Sequence, residues 1–149
     1  MIARATVADQ DRIRARLVDL ADRIERVRGR CPPTLEALVA DRNTFDIVSY
    51  NLMLAVQICV DIASHGIADE EWPAATSLAG SFNRLRDEGV ISAGTAEALV
   101  QAVSLRNVIA CDYANINPAM VHAAATRGIG DLEAFAREVA ARVAQRQGA

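Results

Sequence analysis

Apolar residues recur at steps of three and four along most of the chain, and nowhere do they alternate with polar residues as they do in a strand. Residues 9–27 carry one narrow stripe of such positions, which consists of Ile13, Leu17, Leu20, Ile24 and Val27. This spacing predicts an amphipathic helix with one buried face. Pro32 and Pro33 end the helix, because proline cannot continue a helix interior.

A longer helical pattern follows over residues 34–65 and predicts the central helix of the fold. Its apolar positions are numerous enough to bury much of its circumference: Phe45, Val48, Leu52, Leu54, Ala55, Ile58, Cys59, Val60 and Ile62. Thr34 is a suitable N-cap for this helix. Gly66 suits the left-handed residue that follows many helix ends, so we expect the helix to end there.

The second half of the chain predicts three further helices. The third would span residues 73–87, with Pro73 in its first turn. The fourth would begin at a cap formed by Ser92 or Thr95 and continue through Tyr113. Gly89 separates the two, because glycine readily takes the backbone conformations of a turn.

Asn117 and Pro118 predict the start of the last helix, as an N-cap followed by proline at the first helical position. The segment 128–130 would interrupt this helix, which resumes from Asp131 with a second apolar seam. The chain shows no strand pattern, internal repeat or linker. We therefore predict a single all-α domain over residues 1–149, a compact bundle of about five helices.

Composition adds little to this picture. Apolar residues make up 52% of the chain and aromatic residues only 4%, which favours helices. The formal net charge of −3 gives no general attraction to nucleic acids or anionic membranes. All 16 basic residues are arginine, however, and seven of them lie within residues 12–30. Either codon preference explains this bias, or the segment forms a phosphate-binding patch suited to the planar guanidinium group.

The cysteines bear on the cellular compartment. Cys31, Cys59 and Cys111 are an odd number without paired spacing, which predicts neither a disulfide framework nor a metal site. The first thirty residues are charged throughout and contain no signal-peptide core. No apolar run approaches the roughly 18 residues of a membrane span. We predict a cytoplasmic protein that needs no metal or cofactor and does not associate with a membrane.

Residues 105–117, LRNVIACDYANIN, carry the candidate chemistry. On a helix continued through Tyr113, four polar or reactive side chains share one arc: Arg106, Asn107, Cys111 and Tyr113. One interpretation is a helix end at which the arginine caps carbonyl groups and the tyrosine packs at the rim. The other interpretation is a functional site. The residues alone leave both open.

The segment RNVIACDY, followed by ANINP, resembles the Arg-Asn-x3-His-x-Tyr signature of the HepT-like HEPN toxins. Residues 50–67 and 131–143 resemble the long second helix and the last helix of that family. The resemblance covers nearly the whole chain. It implies an α-helical homodimer that places both copies of the motif in a shared cleft and cleaves RNA as a metal-independent endonuclease. It also implies a minimal nucleotidyltransferase antitoxin that attaches AMP to the motif tyrosine.

Transferred to this chain, the resemblance makes Arg106 the phosphate ligand, Asn107 its neighbour and Tyr113 the AMP acceptor. Cys111 occupies the position of the histidine. Histidine suits proton transfer because its ordinary pKa is about 6.5, whereas cysteine has an ordinary pKa of about 8.5 and one protonation site. We therefore expect weak or absent ribonuclease activity. Both natural degeneration and deliberate inactivation of a toxin fit this substitution.

Two further expectations concern the surroundings of the motif. Asp61 lies in an apolar helix, where a carboxylate needs a partner, and we expect it to pair with Arg106 as a support of the site. We expect His65 and His122 at helix ends or on the surface, with a place in the cleft as the alternative for each. An alternative function also fits the residues: a catalytically degenerate binding module that pairs with a nucleotidyltransferase and is modified at Tyr113.

Overall fold

The computed structural model describes residues 7–147, and this part of the chain is helical apart from short connections. Its α-helices are α1 (Val7–Arg30), α2 (Leu35–Ala40), α3 (Arg42–Asp69), α4 (Leu78–Asp87), α5 (Ala93–Cys111), α6 (Pro118–Ala123) and α7 (Ile129–Gln147). A short 3₁₀ turn follows α5 (Tyr113–Asn115), and a π-helical segment joins α6 to α7 (Ala124–Gly128). The predicted all-α class is confirmed.

The first helix buries the stripe that its sequence predicts. Leu20 and Val27 are fully buried, and Ile13 and Ile24 are nearly so. This face of α1 packs against α3 and α7. On the outer side, Arg28 of α1 forms a bidentate ion pair with Glu133 of α7, which lowers the pKa of the Glu133 carboxyl.

The prediction of one helix over residues 34–65 is wrong, because the chain breaks at Asp41 and forms α2 and α3. Thr34 caps α2 as predicted, with its hydroxyl oxygen accepting the Ala37 N–H at 3.2 Å. The Asp41 carboxylate then accepts the backbone N–H of Thr44 at 3.2 Å and caps α3. That hydrogen bond lowers the pKa of Asp41. A side chain that satisfies free N–H groups in this way favours a new helix start over continuation.

The predicted end of the central helix at Gly66 is also wrong. Gly66 is helical, and α3 continues to Asp69 because Ile67 extends the buried face by one more turn. The left-handed residue is Glu71, with φ of 57°. There the chain turns back, and the Trp72 N–H donates to the Ile67 carbonyl at 3.1 Å.

Helix α3 forms the centre of the bundle and contacts α1, α4, α5 and α7. By length and composition it would suffice to cross a membrane, since an 18-residue window has a mean hydropathy of 1.6. In the fold, 61% of that window is buried. The apolar character of α3 is therefore that of a core helix. Cys59 lies on its buried face, where burial raises the pKa of the thiol.

Helix α4 begins later than predicted, at Leu78 rather than Pro73, because Ser77 caps it by accepting the Gly80 N–H at 2.9 Å. Ser92 caps α5 as predicted, accepting the Thr95 N–H at 3.1 Å. Glu138 of α7 accepts hydrogen bonds from the Ser92 N–H and the Thr95 hydroxyl, both at 2.6 Å. These bonds attach the start of α5 to α7.

Asn117 caps α6, and Pro118 is its first residue, as predicted. The predicted interruption at 128–130 is wrong, because the chain remains helical and only widens into the π segment. Ala125 and Ile129 are buried on either side of this change in helix type. The wider π turn therefore rotates the side chains of α7 relative to those of α6, so that apolar residues on both sides of it face the core.

Candidate active site

Arg106 is held at the contact between α5 and α3. One terminal guanidinium nitrogen donates to the side-chain oxygen of Gln57 on α3. The other donates to the side-chain oxygen of the adjacent Asn107 at 2.9 Å. Arg106 and Gln57 are both half-buried. The guanidinium group is thus fixed in direction at a place that solvent still reaches.

Gln57 is itself oriented by a carboxylate. Its amide nitrogen donates to one oxygen of Asp61 at 3.2 Å, and Arg16 of α1 donates to the other oxygen of Asp61 at 2.6 Å. With its N–H group committed to Asp61, the Gln57 amide presents its oxygen to Arg106. A continuous hydrogen-bonded chain therefore runs from α1 through α3 to the arginine of the motif.

The expected direct pair between Asp61 and Arg106 is wrong. Asp61 pairs with Arg16, and Gln57, one helical turn before it, stands between the carboxylate and Arg106. Gln57 was not among the predicted site residues. A signal was present, because Gln57 and Asp61 are four residues apart in an otherwise apolar stretch and such a pair shares one helix face.

Tyr113 lies outside the helix that carries Arg106. Helix α5 ends at Cys111, and Asp112 leaves helical geometry with φ of −147°. Tyr113 then begins the 3₁₀ turn, and its hydroxyl donates to the carboxylate of Asp46 on α3. Partial burial raises the pKa of the Tyr113 phenol, and the hydrogen bond to Asp46 raises it further.

A cation completes the surroundings of Tyr113. The Arg42 guanidinium group stands 5.5 Å from the Phe45 ring centre and 5.6 Å from the Tyr113 ring centre. Its Nε also lies 3.3 Å from the Asp46 carboxylate. We refer to Arg42, Phe45, Asp46 and Tyr113 as the tyrosine cluster. It holds the phenol against the first turns of α3.

Arg106 and Tyr113 therefore occupy different places along α3. Their partners, Gln57 and Asp46, are eleven positions apart on that helix, which corresponds to a rise of about 16 Å. The expectation that the four motif side chains share one helix face is wrong, because α5 ends two residues before Tyr113. In one protomer, the arginine and the phenol do not form a common site.

Cys111 is the last residue of α5, and its side chain is exposed and not in a disulfide. Asn107 is also exposed, beside Arg106. Among residues 7–147, no group of three or more His, Cys, Asp or Glu side chains is placed to hold a metal ion. The side chains that contact the Arg106 guanidinium group are the hydrogen-bonding amides of Gln57 and Asn107.

The arginines of α1 are largely engaged with acceptors. Arg16 contacts Asp61 and Asp19, while Arg26 pairs with Asp22 at 2.9 Å. Further pairs join Arg12 to Asp9, Arg14 to Asp11, Arg23 to Asn51 and Arg28 to Glu133. This pairing favours an ion-paired, solvated helix face over a dedicated phosphate patch.

The two histidines have different surroundings. His65 is half-buried in the last turns of α3, near Asp69. The ring of His122 on α6 lies 3.0 Å from the Pro32 carbonyl, through its Nε2 atom. That contact joins α6 to the loop after α1. His122 therefore has a structural contact of its own.

Comparison with known proteins gives consistent results. The family of ribonuclease HepT-like proteins matches residues 20–139 of the chain. The mRNA nuclease HepT of Shewanella oneidensis is 26% identical over 113 residues, and the match covers 71% of this chain and 85% of that protein. The family match covers the predicted motif, all of residues 50–67 and residues 131–139 of the last helical segment.

Solved structures share the fold. A tri-AMPylated HEPN toxin of Shewanella oneidensis, in complex with an MNT antitoxin, has a TM-score of 0.80 and 24% identity, covering 87% of this chain and 96% of that one. A toxin–antitoxin structure with AMP-PNP has a TM-score of 0.82 and 24% identity, covering 88% and 98%. The cytosolic protein YutE of Bacillus subtilis, of unknown function, has a TM-score of 0.82 and 12% identity, covering 95% and 94%.

Proposed function

The chain belongs to the family of HepT-like ribonucleases, and on that premise we propose that it is the toxin of a toxin–antitoxin pair, with an RNA-cleaving site weakened by Cys111. The similarity to an mRNA nuclease and to an AMPylated toxin bound to its antitoxin supports this proposal. The substrate is RNA in single-stranded or loop form, because cleavage needs an accessible 2′-hydroxyl group.

The orientation of Arg106 is the observation that carries the proposal. Gln57 and Asn107 fix its guanidinium group before any substrate binds. A cation held in this way can stabilise the charge that develops on the scissile phosphate without reorganising during the reaction. In this proposal Arg106 binds the phosphate, Asn107 and Gln57 position it, and Asp61 supports it indirectly through Gln57.

Cys111 stands where proton transfer is needed. Cleavage requires one group to take the proton of the 2′-hydroxyl and another to protonate the departing 5′-oxygen. Imidazole can do this near neutrality and presents two nitrogens in different directions. A thiol has one protonation site. Because general acid–base catalysis contributes roughly 10²–10⁴-fold, the cysteine form should lose activity on that scale.

The direct test compares the present chain with its Cys111→His variant in RNA cleavage with a chelator present. The histidine form should cleave faster by roughly 10²–10⁴-fold. Arg106→Ala in the histidine form should return cleavage to background, and Cys31→His provides the same ring at a turn away from the motif. Equal rates for the cysteine and histidine forms would refute the proton-transfer argument.

The proposed active unit is a homodimer. Within one protomer Arg106 and Tyr113 contact separate parts of α3, and in this proposal a second copy of the chain completes the cleft that contains both. Helix α3 also presents apolar side chains one turn apart, Ile47 and Tyr50, which are 38% and 54% exposed. We propose that the second copy of the chain contacts α3 at these two side chains.

The second candidate function is a binding module that is modified at Tyr113 by an MNT-type nucleotidyltransferase. The favouring observation is that Tyr113 is partly exposed and oriented by Asp46, independently of Cys111. Its phenol is the nucleophile, so modification needs no histidine. Mass spectrometry after co-expression with the cognate nucleotidyltransferase should show AMP on Tyr113 and none on a Tyr113→Phe variant.

Growth assays separate the two functions. Expression of Cys111→His without its partner should arrest growth if the toxin proposal is correct, whereas expression of the present chain should not. If the histidine form is harmless and cleaves no RNA, but Tyr113 is still modified, the binding-module function is the correct one.

A further inference from the structure

A cavity of about 290 Å³ lies between α5 and the segment that runs from α6 through the π helix into α7. Arg106 forms part of its wall. Its floor is apolar and consists of buried side chains from three helices: Leu52, Val56, Leu105, Ile109 and Leu132. Its rim includes the exposed Asp131, so the cavity combines an apolar floor with a cation and an anion at its edges.

The size and lining of the cavity suit one small planar group. Ligand pockets typically measure about 300–1,000 Å³ and combine apolar walls with a few placed polar groups. A volume of about 290 Å³ is at the lower end of this range. The cavity therefore has room for one base and part of its sugar, with the rest of an RNA strand passing outside.

Two polar groups at the cavity have unused hydrogen-bonding capacity. The Nε atom of Arg106 is buried and has no hydrogen-bond partner among the described residues. Asp131, in the first turn of α7, presents an exposed carboxylate. This buried Nε is closed to a ligand, but the two terminal nitrogens of Arg106 carry four N–H groups, of which Gln57 and Asn107 use two, so donors remain for an acceptor on a ligand.

We propose that this cavity binds the base of an RNA nucleotide next to the phosphate held by Arg106, with preference for bases that carry an amino group. The inference rests on the proposed phosphate-binding role of Arg106. The phosphate and the base of one nucleotide are joined through its ribose. Because Arg106 forms part of the cavity wall, a phosphate bound at Arg106 places the attached base at the cavity. The apolar floor then contacts the faces of the base.

Asp131 supplies the selectivity. An ionised carboxylate only accepts hydrogen bonds, so it pairs with the amino groups of adenine, cytosine or guanine. Uracil lacks an amino group, and the one donor on its pairing edge, the N3–H, lies between two carbonyl oxygens that the carboxylate repels, so uracil pairs less well than the amino-bearing bases. Arg106 meanwhile donates to acceptors of the phosphate or the base edge. Charge complementarity thus favours a nucleotide over an uncharged apolar peptide as the occupant.

The test is an NMR titration of the isotopically labelled Cys111 protein with AMP, CMP, GMP, UMP and ribose 5-phosphate. The amino-bearing nucleotides should shift the amide signals of Gly128 and Asp131 and bind at least about ten times more tightly than ribose 5-phosphate or UMP. Equal affinity for all five ligands, or shifts confined to residues away from the cavity, would overturn the proposal.

Variants sharpen the test. Asp131→Asn should reduce the preference for AMP over UMP, because the neutral amide can pair with either base. Ala102→Leu, on the cavity wall, should weaken binding of every nucleotide by occupying the space. Glu97→Gln, an exposed carboxylate of α5 that does not line the cavity, is the matched control and should change neither result. Unchanged selectivity in Asp131→Asn would refute the role of Asp131.

Failure of this inference is distinguishable from failure of the proposed function, because nucleotide binding is measured without cleavage. Selective binding that is lost in Asp131→Asn supports the base site even if Cys111→His cleaves no RNA. Conversely, a Cys111→His protein that cleaves RNA but binds all five ligands equally retains the ribonuclease function and refutes the base site.

Discussion

Replacement of Gln57 by leucine isolates the orienting contact of Arg106. Leucine has a similar length and a high helix propensity, so α3 should persist. The change removes the oxygen that accepts from Arg106 and the N–H that donates to Asp61. Arg16 still pairs with Asp61, so the carboxylate does not lose its cation. Within the described part of the chain, Asn107 is then the side chain that still accepts a hydrogen bond from the guanidinium group of Arg106.

The expected loss follows from the number and kind of bonds removed. A hydrogen bond to a charged group contributes about 1.5–3 kcal/mol. If this hydrogen bond holds Arg106 where it stabilises the transition state, loss of the bond raises the activation free energy by the same amount. Each 1.36 kcal/mol then corresponds to a tenfold change in rate. Gln57 is half-buried and solvent screens part of the interaction. We expect kcat/KM to fall roughly ten- to thirtyfold.

The assay is RNA cleavage by the Cys111→His protein with and without Gln57→Leu. Because Arg106 acts on developing charge, the loss should fall mainly on kcat rather than KM. Gln145→Leu, the same change at an exposed position of α7, is the matched control. Thermal unfolding of each variant monitors stability, which should change little.

Two results would refute this reasoning. If Gln57→Leu cleaves within twofold of its parent at unchanged stability, then Arg106 does not need Gln57 for its function. If the whole loss appears in KM, Gln57 contributes to binding of the substrate rather than to the orientation of Arg106. Asp61→Asn provides an independent check, because it leaves Gln57 in place and should cause a smaller loss of kcat.

Three further predictions concern stability, titration and assembly. Phe135→Ala should lower the free energy of unfolding by about 3–5 kcal/mol in chemical denaturation, because Phe135 is fully buried against Phe82. In a Tyr50→Phe protein, the remaining Tyr113 should ionise above pH 10 by ultraviolet absorbance, and Asp46→Asn should lower that midpoint without removing the effect of burial. The stabilising contribution of protonated Tyr113 should be complete below about pH 10 and lost as pH rises through its folded pKa. Tyr50→Glu should shift the dimer towards monomer in light scattering, whereas Val39→Glu, equally exposed on α2, should not.

The helices could be predicted from the sequence because they carry periodic apolar faces and residues that are typical helix caps. Thr34, Ser92 and Asn117 all cap helices as their residue types predict. These are local effects, decided by a side chain and the backbone within three residues of it. The motif and its resemblance to HepT-like proteins were also present in the sequence, because they depend on order along one segment.

Helix ends within apolar segments were decided by the fold. Gly66 locally favours the end of a helix, but α3 continues to Asp69 because the next residue, Ile67, is buried in the core. Asp41, by contrast, starts a new helix where periodicity predicted continuation. At such positions a weak local preference competes with burial of a neighbouring side chain, and the packed core determines which one prevails.

The partners of the motif residues were decided by tertiary structure alone. The sequence identified Arg106, Asp61 and Tyr113, but pairing Arg106 with Gln57 and Tyr113 with Asp46 depends on how α5 and its following turn cross α3. A hydrogen bond between helices requires a particular crossing and register, and neither is encoded in the spacing of one segment. The sequence by itself thus determined the helices and the chemistry available, whereas packing decided which groups meet.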